Sequence, residues 1–283
     1  MKPVLRARLQ CDSFGCPMNK ELDKHFEAIG ARVRLRPPEP ARRTSSARGR
    51  RPSAVIDIRK DRKGEYFDLQ LPENAEARVT NLDRAGRHLL LYLNINKEKS
   101  RYLCGHDERH WFVAAIPESA PGITTVAKAK AALQPDQVRT AGHRLRSKER
   151  LRRRNDAYIR QGEWFFVPEP DLRPDPKGIL RHEPISRGLG SKPHVAEVAY
   201  RRGGVTVYVS AQHPSGLTQA EYELVNDKDR RGSWQVMVRD AEVFAMGTIR
   251  HADHATVRLS GWHRVLMNTE PRARAMRHVA FLD

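Results

Sequence analysis

Acidic residues are scarce in this 283-residue sequence: 34 Asp and Glu stand against 52 Lys and Arg, a net charge of +18. Cysteine is scarcer still, with Cys11, Cys16 and Cys104 alone, an odd set that argues against a secreted disulfide framework. Reduced thiols make a cytoplasmic protein the expectation. Long apolar runs are missing as well. The longest, LLLYL at 89–93, has strand length, far short of the ~18 residues that read as a membrane-spanning helix. No signal-peptide core is visible in the opening MKPVLRARLQ, and no membrane partner is expected. Aromatics reach only 7%, so most are needed to build cores and few are left for stacking on a ligand. There is no Gly-x-Ser-x-Gly elbow, His-Glu-x-x-His helix, dinucleotide fingerprint or paired zinc-ribbon motif.

What the sequence does have is concentrated positive charge. Residues 31–51 carry eight Arg and one Glu, and residues 139–160 carry eight Arg, one Lys, one Glu and one Asp. Together they hold 14 of the 18 net charges, so the remaining chain is close to ordinary. The first stretch contains PPEPARRTSSARGRRPS, a composition that cannot bury a core and reads as a mobile arm at about 36–53. The second, AGHRLRSKERLRRRNDAYIR, reads as a basic helix with Leu145 and Leu151 as apolar anchors, joining two domains at 1–138 and 161–283. Net charge of this size favours a polyanion through counterion release. Arg43, Arg50, Arg51, Arg152, Arg153 and Arg154 are the expected phosphate grip.

Both domains read as mainly β. In the first, 54–58 and 65–71 flank a turn with hairpin character, further strands are expected near 77–81, 88–95, 101–104 and 111–116, and helices at 19–29 and 124–133. In the second, 163–167 is a buried-strand pattern. Residues 195–200 and 205–210 flank Arg201-Arg202-Gly203-Gly204, a hairpin turn. Thr218 with Glu221 forms a capping box for a helix at 219–225, and strands follow at 234–238, 243–249, 256–259 and 264–267. The expected class is α+β: two mainly β units with a few short helices, joined by the basic helical segment.

Three clusters could carry chemistry. Cys104, His106 and His110 have ligand types for zinc or another divalent metal, with Cys11 and Cys16 available to complete a site; His106, Asp107 and His110 could equally act as acid and base. The second cluster, His251, Asp253 and His254 with His263, places three histidines within 13 residues. Asp253 could orient a histidine as a base, and Arg250 and Arg264 could hold a phosphate beside them. The third, Ser186 to His194, sets Arg187 and Lys192 among glycines whose backbone could turn towards an anion. Trp111 and Trp262, next to the histidine clusters, are candidates for ligand contact.

These features predict a nucleic-acid-binding protein, for RNA or DNA, with Arg-rich segments on phosphates. One alternative is a histidine-dependent nuclease or phosphoesterase, with or without a metal. Another is a basic adaptor subunit of a larger protein or ribonucleoprotein assembly.

Overall fold

The computed structural model of the protein describes residues 17–38, 54–120, 122–186 and 192–272. Strands predominate over a few short helices. The described residues divide into two compact units, one made of those up to Arg139 together with Asn268–Arg272, the other of those within Thr140–Met267. The sequence-based boundary had assigned everything after residue 160 to the second domain. The last described segment returns to the first unit because its side chains are bonded there, as shown below.

The first unit begins with α1 (Pro17–Glu27), then β1 (Val33–Arg36), β2 (Val55–Asp61) and β3 (Gly64–Gln70). β2 and β3 are the expected hairpin, and β1 lies parallel to β3 on its other side. β4 (Glu76–Asp83), β5 (His88–Ile95), β6 (Glu98–Asp107) and β7 (His110–Ala115) follow as a four-stranded antiparallel meander. The LLLYL run sits in β5, where alternation sends successive side chains to opposite faces. Leu89, Leu91 and Leu93 join Leu22, Phe26, Ile56 and Phe67 in the main core. Leu90 joins Leu103 and Ala114 under α2 (Val126–Ala132), which contributes Val126 and Ala129. A strand buried on both faces reads as a continuous apolar run, which is why this segment shows no polar alternation. Beyond Met267 the chain returns to this unit: Thr269 Oγ1 donates to the Ala132 carbonyl at 2.7 Å, and buried Glu270 accepts from the Ala115 N–H at 3.2 Å.

The second unit follows α3 (Asp136–Ala141). It contains β8 (Ile159–Gln161), β9 (Trp164–Pro168), β10 (Ile179–Ile185), β11 (His194–Arg202), β12 (Val205–Val209), α4 (Gln219–Glu223), α5 (Asp227–Arg230), β13 (Gln235–Arg239), β14 (Glu242–Arg250) and β15 (Val257–Met267). Six of its strands form an antiparallel sheet in the order β10-β11-β14-β15-β9-β8, and β12 pairs with β13 alone. The sheet buries Trp164, Phe166, Ile185, Ala196, Ala199, Ala245, Ile249, Leu259 and Val265. The capping box of α4 is present, with Thr218 and Glu221 bonding reciprocally.

Four expectations change. The joining helix is absent: beyond Ala141 the chain makes consecutive turns up to residue 152. Leu145 and Leu151 are six residues apart, about 240° around a helix, so they cannot share a buried face. Side chains also take the backbone groups a helix would need, as described below. The Gly203-Gly204 hairpin does not form either. β11 pairs with β10 and β14, whereas β12 pairs with β13, and the two glycines, at φ 66° and 92°, carry the chain from one sheet to the other. The strands expected at 256–259 and 264–267 are one strand, β15, running through Gly261. Finally, Arg36 belongs to β1 rather than to an arm; positions 39–53 of that arm lie outside the described residues.

Candidate nucleic-acid interface and histidine cluster

The basic segment of the second unit is pinned by its own polar side chains. Asn155 is the hub: its amide nitrogen donates to the Glu149 carbonyl at 3.1 Å, while its oxygen accepts the N–H groups of Ala157 (2.9 Å) and Tyr158 (3.0 Å). Tyr158 is buried, and its hydroxyl donates to the Arg150 carbonyl. Arg150 turns back over the loop and donates to the carbonyls of Leu145 (2.8 Å) and His143 (2.5 Å). Its guanidinium therefore serves the loop's architecture.

The remaining cations are displayed outward. Arg144, Arg146, Lys148, Arg152 and Arg154 are exposed, and no carboxylate among the described residues lies within ion-pair distance of any of them. Arg153 is half-buried. Arg152 and Arg154 line an open groove of about 450 Å³ whose walls include Asn155, Tyr158, Pro168 and His263. His263 on β15 is 5% exposed, and its Nδ1 lies 2.8 Å from the Gly261 carbonyl. A carbonyl can only accept, so Nδ1 carries the proton and Nε2 is left as an acceptor. Burial lowers the pKa of this imidazole, with the Gly261 bond opposing, which keeps the ring neutral near pH 7.

A second site lies at the other end of the same sheet. His194 opens β11, while His251 and His254 follow β14 in the turn before β15. One ring nitrogen from each lies within 4.8 Å of the others. The rings are stacked: centroids are 4.2 Å apart for His194 and His251, 4.6 Å for His251 and His254, and 5.5 Å for His194 and His254. His194 is 1% exposed, and neither of its ring nitrogens has a hydrogen-bond partner. An unsatisfied buried polar group costs roughly 1–3 kcal/mol, so this ring is a local expense that the fold carries. Burial, and then the neighbouring imidazoles, push its pKa down to about 3. His251 Nδ1 accepts the Asp253 N–H at 3.1 Å, leaving Nε2 to donate to the Lys192 carbonyl at 3.2 Å. His254 rests over the β8–β9 turn, where a Cβ on Gly162 would lie 2.6 Å from its Nε2; Gly162 also has φ +58°. Glycine is required there on both counts.

The expected residues are thus divided among several places. His251, Asp253 and His254 do come together, but the Asp253 carboxylate is paired with Lys192 at 2.8 Å. His263 is six residues along β15 from Val257, on the order of 20 Å away. Arg264 bonds Glu242 at 2.5 Å, alongside Arg202 at 2.6 Å. Arg250 is exposed at the end of β14, where its charge acts on Glu197. Trp262 meets Tyr200 edge-on at 6.5 Å. Trp111 packs against the first unit's core, with Phe67 at 5.5 Å and the Arg87 guanidinium 4.6 Å from its ring.

The ligand set predicted for Cys104, His106 and His110 does not converge. Cys104 is fully buried in the main core, where burial pushes its thiol pKa up. His106 contacts the Trp111 ring edge at 5.0 Å, and His110 bonds Glu65 at 2.5 Å. Cys11, Cys16, Arg43, Arg50, Arg51 and Arg187 lie outside the described residues. The residue that sequence reasoning missed is His194. It stood at the end of a Gly/Ser loop, 57 positions before His251, and only the register of β11 against β14, with Val195 opposite Arg250, brings them together. Among the described residues, no helix is long and apolar enough to cross a membrane. Neither protein-family models, curated proteins nor solved structures give a match to this chain.

Proposed function

We propose that this protein binds nucleic acid through the basic turn segment of its second unit, with Arg144, Arg146, Lys148, Arg152 and Arg154 on phosphates and the groove taking a sugar or base. One observation carries the reading: five exposed cations without a carboxylate partner stand on a loop fixed by Asn155 and Tyr158. A pinned loop holds its charges in place before the ligand arrives, which lowers the ordering cost of binding. Phosphate contacts of this kind position a protein without reading sequence. The buried thiol of Cys104 suits a reducing, cytoplasmic setting. Fluorescence anisotropy with labelled single strands and duplexes tests the proposal. Affinity should fall steeply with salt, and R152A/R154A should flatten the single-strand log–log slope by about 1.4, since each phosphate contact contributes about 0.7. A flat salt response, or an unchanged slope in the double variant, would refute it.

Hydrolysis of the bound strand is a second reading, favoured by the neutral His263 in the wall of the same groove. Wild type should then cleave labelled RNA or DNA, and His263→Ala should abolish cleavage with binding retained. Absence of cleavage under every divalent-ion condition would remove it for the substrates tried.

A further inference from the structure

We propose that His194, His251 and His254 form a binding site for one divalent transition-metal ion, zinc being the natural occupant of the three-imidazole class. The site is separate from the basic groove and does not depend on the nucleic-acid reading.

The donor set points to a borderline-soft cation. Three imidazoles with no carboxylate among them suit zinc, cobalt, nickel or copper and do not suit calcium or magnesium, which take oxygen ligands. Asp253, the nearest acid in sequence, is held by Lys192 at 2.8 and 3.1 Å, which leaves the cluster a nitrogen set. The strongest single sign is His194. It is a nearly inaccessible imidazole with both nitrogens unpartnered, stacked directly against two further imidazoles. Coordination by one nitrogen would give that ring the partner it lacks.

The surroundings supply the orienting contact typical of metal-bound histidine. A ligating ring usually donates its second nitrogen to a carbonyl or carboxylate. The His251 Nε2–H already does so, to the Lys192 carbonyl. Ligation through Nδ1 would then displace only the Asp253 N–H, which donates to that nitrogen at 3.1 Å. His254 is confined from the other side by Gly162.

The stacked arrangement must open for this to happen. Ring planes only 23–27° apart send their in-plane lone pairs in nearly parallel directions. A tetrahedral zinc with bonds of about 2.0–2.1 Å needs its nitrogens about 3.4 Å apart and converging. His194 is fixed by burial, whereas His251 and His254 are half-buried in a turn. Those two rings are the ones that rotate. Three protein ligands leave a fourth position for water, the pattern of an open rather than a closed zinc site.

The test uses the full chain, stripped with chelator and titrated with zinc and with cobalt. Stoichiometry is measured by elemental analysis, affinity by competition with a chromophoric chelator, and coordination by the visible spectrum of the cobalt form. One equivalent should bind, cobalt should give tetrahedral-type absorption, and metal should raise the melting temperature. His251→Gln and His254→Gln, in a solvent-accessible turn, should each weaken binding at least about tenfold, the lower end of what loss of even an orienting partner costs. His143→Gln, an exposed histidine outside the cluster, should change nothing. His194→Gln is informative only if it folds, so the turn variants decide. Wild type that binds no stoichiometric metal overturns the proposal, as does wild-type affinity in both turn variants. R152A/R154A should bind metal normally, so failure of the nucleic-acid reading and failure of this one give different results.

Discussion

The described parts of the two basic stretches use their positive charge in opposite ways. In the first unit, the arginines of β1 and β2 are absorbed by carboxylates and rings. Arg32 and Arg34 share Asp61, while Arg36 and Arg59 meet at Asp68, which is 1% exposed. Arg34 also stacks 4.2 Å from the Tyr66 ring centre. In the second unit, Arg201, Arg202 and Arg264 of the sheet are paired in the same manner, but the turns at 144–154 leave five cations to solvent. Net charge therefore does not locate an interface. Three of the eight arginines in the basic stretch 31–51 are structural, whereas Arg152 and Arg154 of the second stretch, both expected to hold phosphate, are exposed and without a carboxylate partner among the described residues.

The sharpest way to break this contrast is Asp68→Ala. Burial alone would raise this carboxyl's pKa, but Arg36, Gln70 and Arg59 outweigh it and hold the pKa below the usual value. Removing one partner of such a buried cluster costs about 3–5 kcal/mol. Urea unfolding should show that loss in the first unit alone.

Acidification should act on the same unit. Burial, followed by the charge of Lys130, pushes the His88 pKa down to about 4. The unfolded chain, titrating near 6.5, binds the proton first, so stability is complete above that value and falls as the pH drops towards 4. The full effect is about 3 kcal/mol. A melting-temperature series between pH 7 and 4 measures it, and His88→Leu should remove that part of the slope. Gly105 sits opposite His88 with no room for a Cβ, which would fall 2.2 Å from the ring. That tight fit explains the burial.

Smaller effects are expected in the second unit. Thr218→Ala removes the capping box of α4 and should cost about 1 kcal/mol, read by hydrogen exchange over 219–225. R152A/R154A should leave unfolding within about 0.5 kcal/mol of wild type, as exposed substitutions away from packing do, even as nucleic-acid affinity falls. A large destabilisation by that pair would erase the difference between the two units.

The legible parts of this protein were those set by near neighbours in sequence. The β2–β3 hairpin, the strand at LLLYL and the Thr218-Glu221 cap each depend on residues a few positions apart. What failed depended on distant partners. Nothing local distinguishes Gly203-Gly204 as a hairpin turn from a passage between sheets, because the choice rests on whether β12 finds β11 or β13. Basic residues 142–154 had helical composition, yet Asn155 and Tyr158 took the backbone carbonyls that a helix would have used.

The candidate site divides along the same line. By itself the sequence determined that the protein is basic, mainly β and marked by a histidine group at 251–254, since composition and local pattern are properties of the chain. Only the tertiary structure decided which arginines are already paired, that Cys104 is core, and that His194 completes the histidine group. Pairing, burial and convergence all depend on strand register, and register is set by side chains that meet across many intervening residues.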